Sequence, residues 1–160
     1  GGRVSGVGSG VLPARGLLFV CMHNSARSPM AEALARKRFP ELPISSAGLV
    51  PSETVHPLAV ETLRDEDSLD IRAHRPRHLG SVDLAQVDLV VSLAGPEVLA
   101  SLPRGLVRLH WATEDPTLVS FDVRRDVLLD RFRDVRDSLV RRLEQLRTRG
   151  HESFGPPGLR

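Results

Sequence analysis

The first apolar block, Leu17-Leu18-Phe19-Val20-Cys21, is continuous and bounded by Gly16, which is the pattern of a strand buried on both faces. A polar loop follows. Ser28-Pro29 then predicts a helix running to about Phe39, with serine as N-cap and proline at the first helical position. Ile44 to Ala47, closed by Gly48, predicts a second strand, and Pro57 to about Arg64 a second helix carrying Leu58, Val60 and Leu63. Val87-Asp88-Leu89-Val90-Val91-Ser92-Leu93 has the pattern of a central strand. A short helix is expected from Pro96, and Leu106 to Trp111 is a fourth strand. The last long element places Leu128, Phe132, Val135, Leu139, Leu143 and Leu146 at steps of 4, 3, 4, 4 and 3, an amphipathic helix with an arginine-rich outer face. Strands alternating with helices predict an α/β fold with a parallel sheet.

The Gly-rich segment 1–16 and the Gly-Pro-Pro-Gly segment within 150–160 are expected to be flexible tails around one domain at 17–149. A hydrophobic share of 41% and a charged share of 26% suit a folded core over 160 residues. No apolar run approaches the roughly 20 residues of a membrane span, and no apolar segment follows a basic start as in a signal peptide. The single cysteine, Cys21, excludes an internal disulfide framework and multi-cysteine metal sites, so a reducing, cytoplasmic setting is expected. A net charge of +2, with no tyrosine, five phenylalanines and one tryptophan, argues against a nucleic-acid partner. All but Lys37 of the 22 basic residues are arginine, a bias that need not be functional.

The chemistry concentrates in Cys21-Met22-His23-Asn24-Ser25-Ala26-Arg27-Ser28. A cysteine, five residues and an arginine between a strand and a helix start suit an oxyanion-binding loop. Successive backbone N–H groups can curl around a tetrahedral anion, and the helix N-terminus adds positive potential. The same field favours a Cys21 thiolate, and Arg27 offers a planar fork for two anion oxygens. Read from the residues alone, a buried inert cysteine with a solvated Arg27 is the competing account.

The chain resembles the low-molecular-weight protein tyrosine phosphatase superfamily, including its arsenate reductases. The resemblance is carried by the segment from Cys21 through Ser28-Pro29-Met30-Ala31-Glu32-Ala33, by Ser46-Ala47-Gly48 and by Asp70-Ile71 to His74. It continues through Asp88-Leu89-Val90-Val91, His110-Trp111 and Glu114-Asp115-Pro116 to the Phe132–Leu139 segment. It implies a four-stranded parallel sheet with helices on both faces. Cys21 would be the nucleophile, the loop Met22 to Arg27 the oxyanion cradle and Arg27 its clamp. Asn24 would hold the loop's unusual backbone, and Ser28 would donate to the thiolate. Asp115 would be the general acid, although Asp before Pro is also a common turn former.

Two chemistries share such a loop. A phosphatase makes and hydrolyses a cysteinyl phosphate. An arsenate reductase needs a second thiol to attack sulfur so that arsenite leaves. Thioredoxin-coupled relatives carry two further cysteines after the third strand, where this chain has Ala94 and Ser101. The resemblance therefore implies a reductase using an external low-molecular-weight thiol, with a glutaredoxin-like partner protein as a further donor. A phosphomonoesterase is the alternative. His23 to Ala26, His110-Trp111, and Thr117-Leu118-Val119 in place of tyrosines after Asp115-Pro116 favour the reductase, whereas Ser28-Pro29 is the phosphatase spelling. Relatives of the thioredoxin type bind potassium through a glutamate, a serine and an aspartate. Glu32 and Ser46 match, but Arg77 stands at the third place, so no required metal is expected. Arg77 would either replace the cation or pair with a surface carboxylate. His74 and His78 are expected in hydrogen-bonding or surface roles, and Trp111 in the core. The arginines and aspartates of the last helix are expected to form a solvated ion-pair face.

Overall fold

Five residues of unbroken apolar chain can be hidden only where a sheet is covered on both sides. In a computed structural model, which describes residues 14–118 and 123–148, Leu17–Cys21 forms such a strand, β1, with no exposed residue. It is joined by β2 (Ile44–Gly48), β3 (Leu89–Ser92) and β4 (Val107–His110). The order is β2-β1-β3-β4 and every pairing is parallel, with Cys21 opposite Gly48 and Val20 opposite Ser92. The helices are α1 (Arg27–Arg38), α2 (Pro57–Asp67), α3 (Glu97–Ala100) and α4 (Arg125–Thr148).

The alternation of a strand sends Leu17, Phe19 and Cys21 to one face and Leu18 and Val20 to the other. The first face is covered by α1, α2 and α4 through Met30, Leu34, Leu58, Leu63, Phe132 and Leu139. The second is covered by much less helix: α3, and the 3-10 turns at 79–81 and 84–86, bring Leu79, Val98 and Leu102 against Leu18, Val20 and Val90. Helices do lie on both faces, but unequally. In α4 the buried stripe is Leu129, Phe132, Val135, Leu139, Leu143 and Leu146, so Leu129 takes the place expected of Leu128. Trp111 is buried and packs on Phe19 with ring centroids 6.0 Å apart.

Several boundaries differ from the sequence pattern for local reasons. β3 starts at Leu89 because the Asp88 side chain accepts the N–H groups of Arg15 (2.9 and 3.0 Å) and Gly16 (3.2 Å). A Cβ at Gly16 would lie 2.0 Å from the Gln86 carbonyl oxygen, so only glycine fits this approach. Residues 14–16, expected in the N-terminal tail, are thus tied to the domain; the rest of that tail, 1–13, and the expected tail 150–160 lie outside the described residues. Helix α1 begins at Arg27 with Ala26 at the N-cap and no side-chain cap, so Ser28 does not cap it. The outer face of α4 is also more than solvated charge. Arg136 makes a two-pronged contact with Asp67 at the end of α2 (3.0 and 2.7 Å), and that carboxylate is only 3% exposed.

Candidate active site

The strand order changes direction between β1 and β3, which opens a crevice at the carboxyl ends of those strands. Cys21 ends β1 at this crevice, and residues 22–26 loop from it into α1. The loop's carbonyls are taken by the chain around it. Those of Cys21, Met22, His23 and Ser25 accept the N–H groups of Leu49, Val50, Ser52 and His56 at 3.3, 2.8, 3.0 and 2.8 Å. The Asn24 carbonyl accepts from His74 Nε2 at 3.2 Å, and that of Ala26 from the Met30 N–H at 3.1 Å. Among the described residues, the N–H groups of His23 to Ser28 find no protein acceptor. With its acceptors engaged and its donors unused, the loop can offer a ligand little except N–H groups. That is the electrostatic requirement of an anion cradle. Gly48 permits this arrangement, because a Cβ there would lie 2.8 Å from the Met22 oxygen and 2.9 Å from the Asn24 nitrogen.

Asn24 sits at φ 50°, the left-handed region that asparagine tolerates, and is fully buried. Its Oδ1 accepts the Arg77 N–H at 3.0 Å and lies 3.2 Å from His74 Nε2, so its Nδ2 is the donor to Ser28 Oγ (2.8 Å) and Ser46 Oγ (2.9 Å). Ser28 Oγ, already accepting from Asn24, is 2.9 Å from Cys21 Sγ and is left to donate its proton there. Ser46 in turn donates to Glu32 Oε1 at 2.6 Å. The Asn24 amide thus heads two branches: one runs through Ser28 and ends as a donor to Cys21 sulfur, and the other runs through Ser46 and ends on the Glu32 carboxylate.

Arg27 is buried, with one guanidinium nitrogen donating to the carbonyls of Leu93 (3.1 Å) and Thr113 (3.0 Å) and the other 3.7 Å from Asp115 Oδ2. Asp115 Oδ1 accepts both the N–H (2.9 Å) and the hydroxyl (2.7 Å) of Thr117. Burial alone would push this carboxyl up. The Thr117 bonds, followed by the charges of Arg27 and His23, outweigh it and hold Asp115 below the ordinary carboxylate range. Before an anion binds, Asp115 is therefore a carboxylate. A dianion seated on Arg27 would compete for its counter-charge and add repulsion, which raises the carboxyl towards its proton-bearing form.

All the residues expected to form the loop thus meet at one place, with Met22 half-buried and His23 exposed at its rim. His74 takes the hydrogen-bonding role that was one of its two expected ones, and Thr117, the Arg77 backbone and His56 add supports that were not expected. Thr117 orients Asp115. The His74 ring and the Arg77 backbone hold Asn24 from about fifty residues away. His56 donates its N–H to Ser25, while its Nδ1 accepts from Leu58 N–H at 3.0 Å and caps α2. Its ring stacks on Phe132 at 4.8 Å, and burial pushes its pKa down against the opposing charge of Asp115. A His-Pro pair at a helix start was the one available signal.

The donor set around Glu32 does not fit a potassium ion. Glu32 Oε1 is engaged by Ser46 and Oε2 by Arg36 at 2.9 Å, while Arg77 Nε donates to the Ser46 carbonyl at 3.2 Å. Arg77 pairs with no carboxylate among the described residues, so of its two expected roles the surface ion pair is not the one found. His78 accepts from the Gly80 N–H at 2.8 Å and caps the turn at 79–81. Among the described residues, no three His, Cys, Asp or Glu side chains are grouped to hold a metal, and no helix is long and apolar enough to cross a membrane. Beside the loop a cleft of about 630 Å³ is lined by Met22, His23, Arg27, His110 and Asp115, among others.

Comparison with known proteins agrees with this geometry. The chain is 31% identical over 132 residues to arsenate reductase 2 of Staphylococcus saprophyticus, covering 81% of this chain and 93% of that one. It is 33% identical over 135 residues to the glutaredoxin arsenate reductase of a Synechocystis species, covering 81% and 94%. A solved arsenate reductase in its phosphate-binding state superposes with a TM-score of 0.69 at 30% identity, covering 85% of this chain and 98% of that one. A sequence model described as low molecular weight phosphotyrosine protein phosphatase matches residues 16–153, a span that holds the whole anion loop and Asp115. The chain belongs to that family, in its arsenate reductase-like branch.

Proposed function

We propose that the protein is an arsenate reductase that draws its electrons from an external thiol and releases arsenite. The observation that carries the reading is the loop itself: a lone cysteine at the end of a directed hydrogen-bond chain, surrounded by N–H groups without acceptors. Cys21 Sγ would attack arsenic while Arg27 and the loop N–H groups hold the oxygens. Asp115 would protonate the departing oxygen, which leaves as water. The arsenic is then bonded to Cys21 sulfur and still fully oxidised. A second sulfur is needed, and Cys21 is the only cysteine in the chain. Ala94 and Ser101 stand where thioredoxin-coupled relatives carry theirs. The thiol must come from outside, from a low-molecular-weight thiol with a glutaredoxin-like protein as partner, and no bound cofactor takes part. A reducing, cytoplasmic setting suits this use.

Phosphomonoester hydrolysis is the second reading, favoured by Ser28-Pro29 and by an Asp115 already positioned beside Arg27. It needs only Cys21, Arg27, Asp115 and water. Steady-state turnover of arsenate against an aryl phosphate, with candidate thiols added singly, separates the two. Arsenate reduction should require added thiol, and no intramolecular disulfide should form. Efficient phosphate cleavage with no arsenate reduction in any thiol system would replace the first reading by the second. In either chemistry Cys21→Ser should abolish turnover, and Asp115→Asn should slow phosphate cleavage by roughly 10²–10⁴-fold through loss of the proton donor.

A further inference from the structure

We propose that the His23 imidazole is the general base that takes the proton of the incoming reductant thiol, a role that rests on the reductase reading above. His23 Nδ1 lies 2.9 Å from the Val50 carbonyl oxygen. A carbonyl only accepts, so Nδ1 carries the hydrogen and the neutral ring keeps its lone pair on Nε2. That second nitrogen has no partner among the described residues, and the ring is exposed. It stands on the wall of the cleft that Arg27 lines, two residues from Cys21. Cys21 is only 2% exposed, so a second sulfur has to approach through a mouth lined by loop side chains.

The charges around this mouth come from four elements. Arg27 at the start of α1 brings positive charge to it, and Asp115 and Glu114 from the segment after β4, with Glu97 of α3, bring negative charge. His110 of β4 is a second imidazole in the cleft, but its Nε2 is tied to the Ala94 carbonyl at 2.6 Å on the β4 side. Asp115, which interacts with His23 through charge, would offset the positive charge that proton transfer places on the ring.

The step balances as follows. The reductant S–H bond breaks, its proton goes to His23 Nε2, and the thiolate attacks Cys21 Sγ. A sulfur–sulfur bond forms as the Cys21 sulfur–arsenic bond breaks, and its electron pair stays on arsenic. Arsenic(V) becomes arsenic(III), the two sulfurs become a mixed disulfide, and arsenite takes up protons from solvent. A second thiol of the same class reduces the mixed disulfide and returns Cys21.

The test is the single-turnover release of arsenite from arsenate-loaded protein. It uses 2-mercaptoethanol, which is protonated at neutral pH, and 4-nitrothiophenol, which is already ionised. His23→Asn keeps a donor where Nδ1 stands and removes the second nitrogen. It should slow release with 2-mercaptoethanol roughly 100-fold, as loss of a general base does, while the loss with 4-nitrothiophenol stays within a few-fold. With the alkyl thiol, the wild-type rate should level off before the thiol itself ionises, whereas the His23→Asn rate should keep rising with the thiol's ionisation. The ratio between thiols within one preparation is independent of how much protein is folded, and His23→Gln provides a second variant. Equal losses with both thiols, an unchanged pH profile, or the thiol-dependent loss appearing in His110→Asn instead would overturn the proposal while leaving the reductase reading intact. No arsenite from wild-type protein with either thiol would overturn both.

Discussion

Replacing Asn24 tests how the site is held together. The side chain makes two donations to buried hydroxyls, at 2.8 and 2.9 Å, and accepts the Arg77 N–H at 3.0 Å. A lost bond that strands a buried partner costs about 1–3 kcal/mol. Taking about 1 kcal/mol for each of the three gives roughly 3 kcal/mol for Asn24→Gly. The His74 ring adds little to that loss, because it retains the Asn24 carbonyl. Asn24→Ala should cost about 1 kcal/mol more, because alanine at φ 50° is strained and glycine is not. Asn24→Asp keeps shape and φ tolerance but reverses the proton chain: a carboxylate accepts from Ser28, which then cannot donate to Cys21. That variant should alkylate more slowly with iodoacetamide, and wild-type alkylation should be slowed by phosphate or arsenate. Urea unfolding in phosphate-free buffer measures the first effect, and timed alkylation the second. Alanine and glycine variants both within 1 kcal/mol of wild type would refute the network. An aspartate variant alkylating at the wild-type rate would refute its direction.

Arg136→Ala should cost about 3 kcal/mol, the low end for breaking a buried ion pair because the arginine is itself one-fifth exposed, and should lower Tm by roughly 10 °C. Asp115 titrates below its ordinary range, so its pairing contributes stability above the unfolded carboxyl's range that is lost as pH falls through the folded value. Thr117→Val should move that titration up, as should bound phosphate, and carboxyl NMR would read both. Because Arg77 and Arg36 occupy the donors around Glu32 and Ser46, exchanging potassium for choline at constant ionic strength should leave Tm unchanged; a potassium-specific rise would show that a cation site exists.

What could be read from the chain was whatever depends on near neighbours. The continuous run Leu17–Cys21, the Ser-Pro helix start and the spacing of α4 each specify their element almost alone. The failures have a common physical cause, which is that a side chain able to act locally is claimed by a distant group. Ser28 is a good N-cap by type, but the Cys21 sulfur and Asn24 amide take its hydroxyl. Asp88 fits a strand pattern, but its carboxylate is held by the chain entering β1, more than seventy residues away. Arg136 reads as one more surface arginine until α2 delivers Asp67 to it. The loop residues Cys21 to Arg27 were legible because their spacing falls between a buried strand and a helix start, a placement that the spacing alone does not supply. Thr117, His56 and the Arg77 backbone were not, because their roles exist only once the sheet has placed them.

The geometry also explains why one loop can support two chemistries. In the function proposed above, Cys21, Arg27 and Asp115 would recognise the shape and charge of a tetrahedral anion, and arsenate and phosphate share both. Nothing in that trio distinguishes arsenic from phosphorus. The difference arises one step later, when either water attacks phosphorus or sulfur attacks sulfur. At that stage the relevant residues lie along the cleft wall, where His23 and His110 are each anchored through one ring nitrogen to a backbone carbonyl. Water attacking a cysteinyl phosphate can use Asp115 alone. A thiol, which must lose its proton to become nucleophilic, benefits from a second base outside the Arg27–Asp115 pair. On the proposal made for His23, a chain with one cysteine and this exposed imidazole at the mouth is better equipped for the second event than for the first, and selection between the two chemistries would rest on that wall rather than on the anion loop.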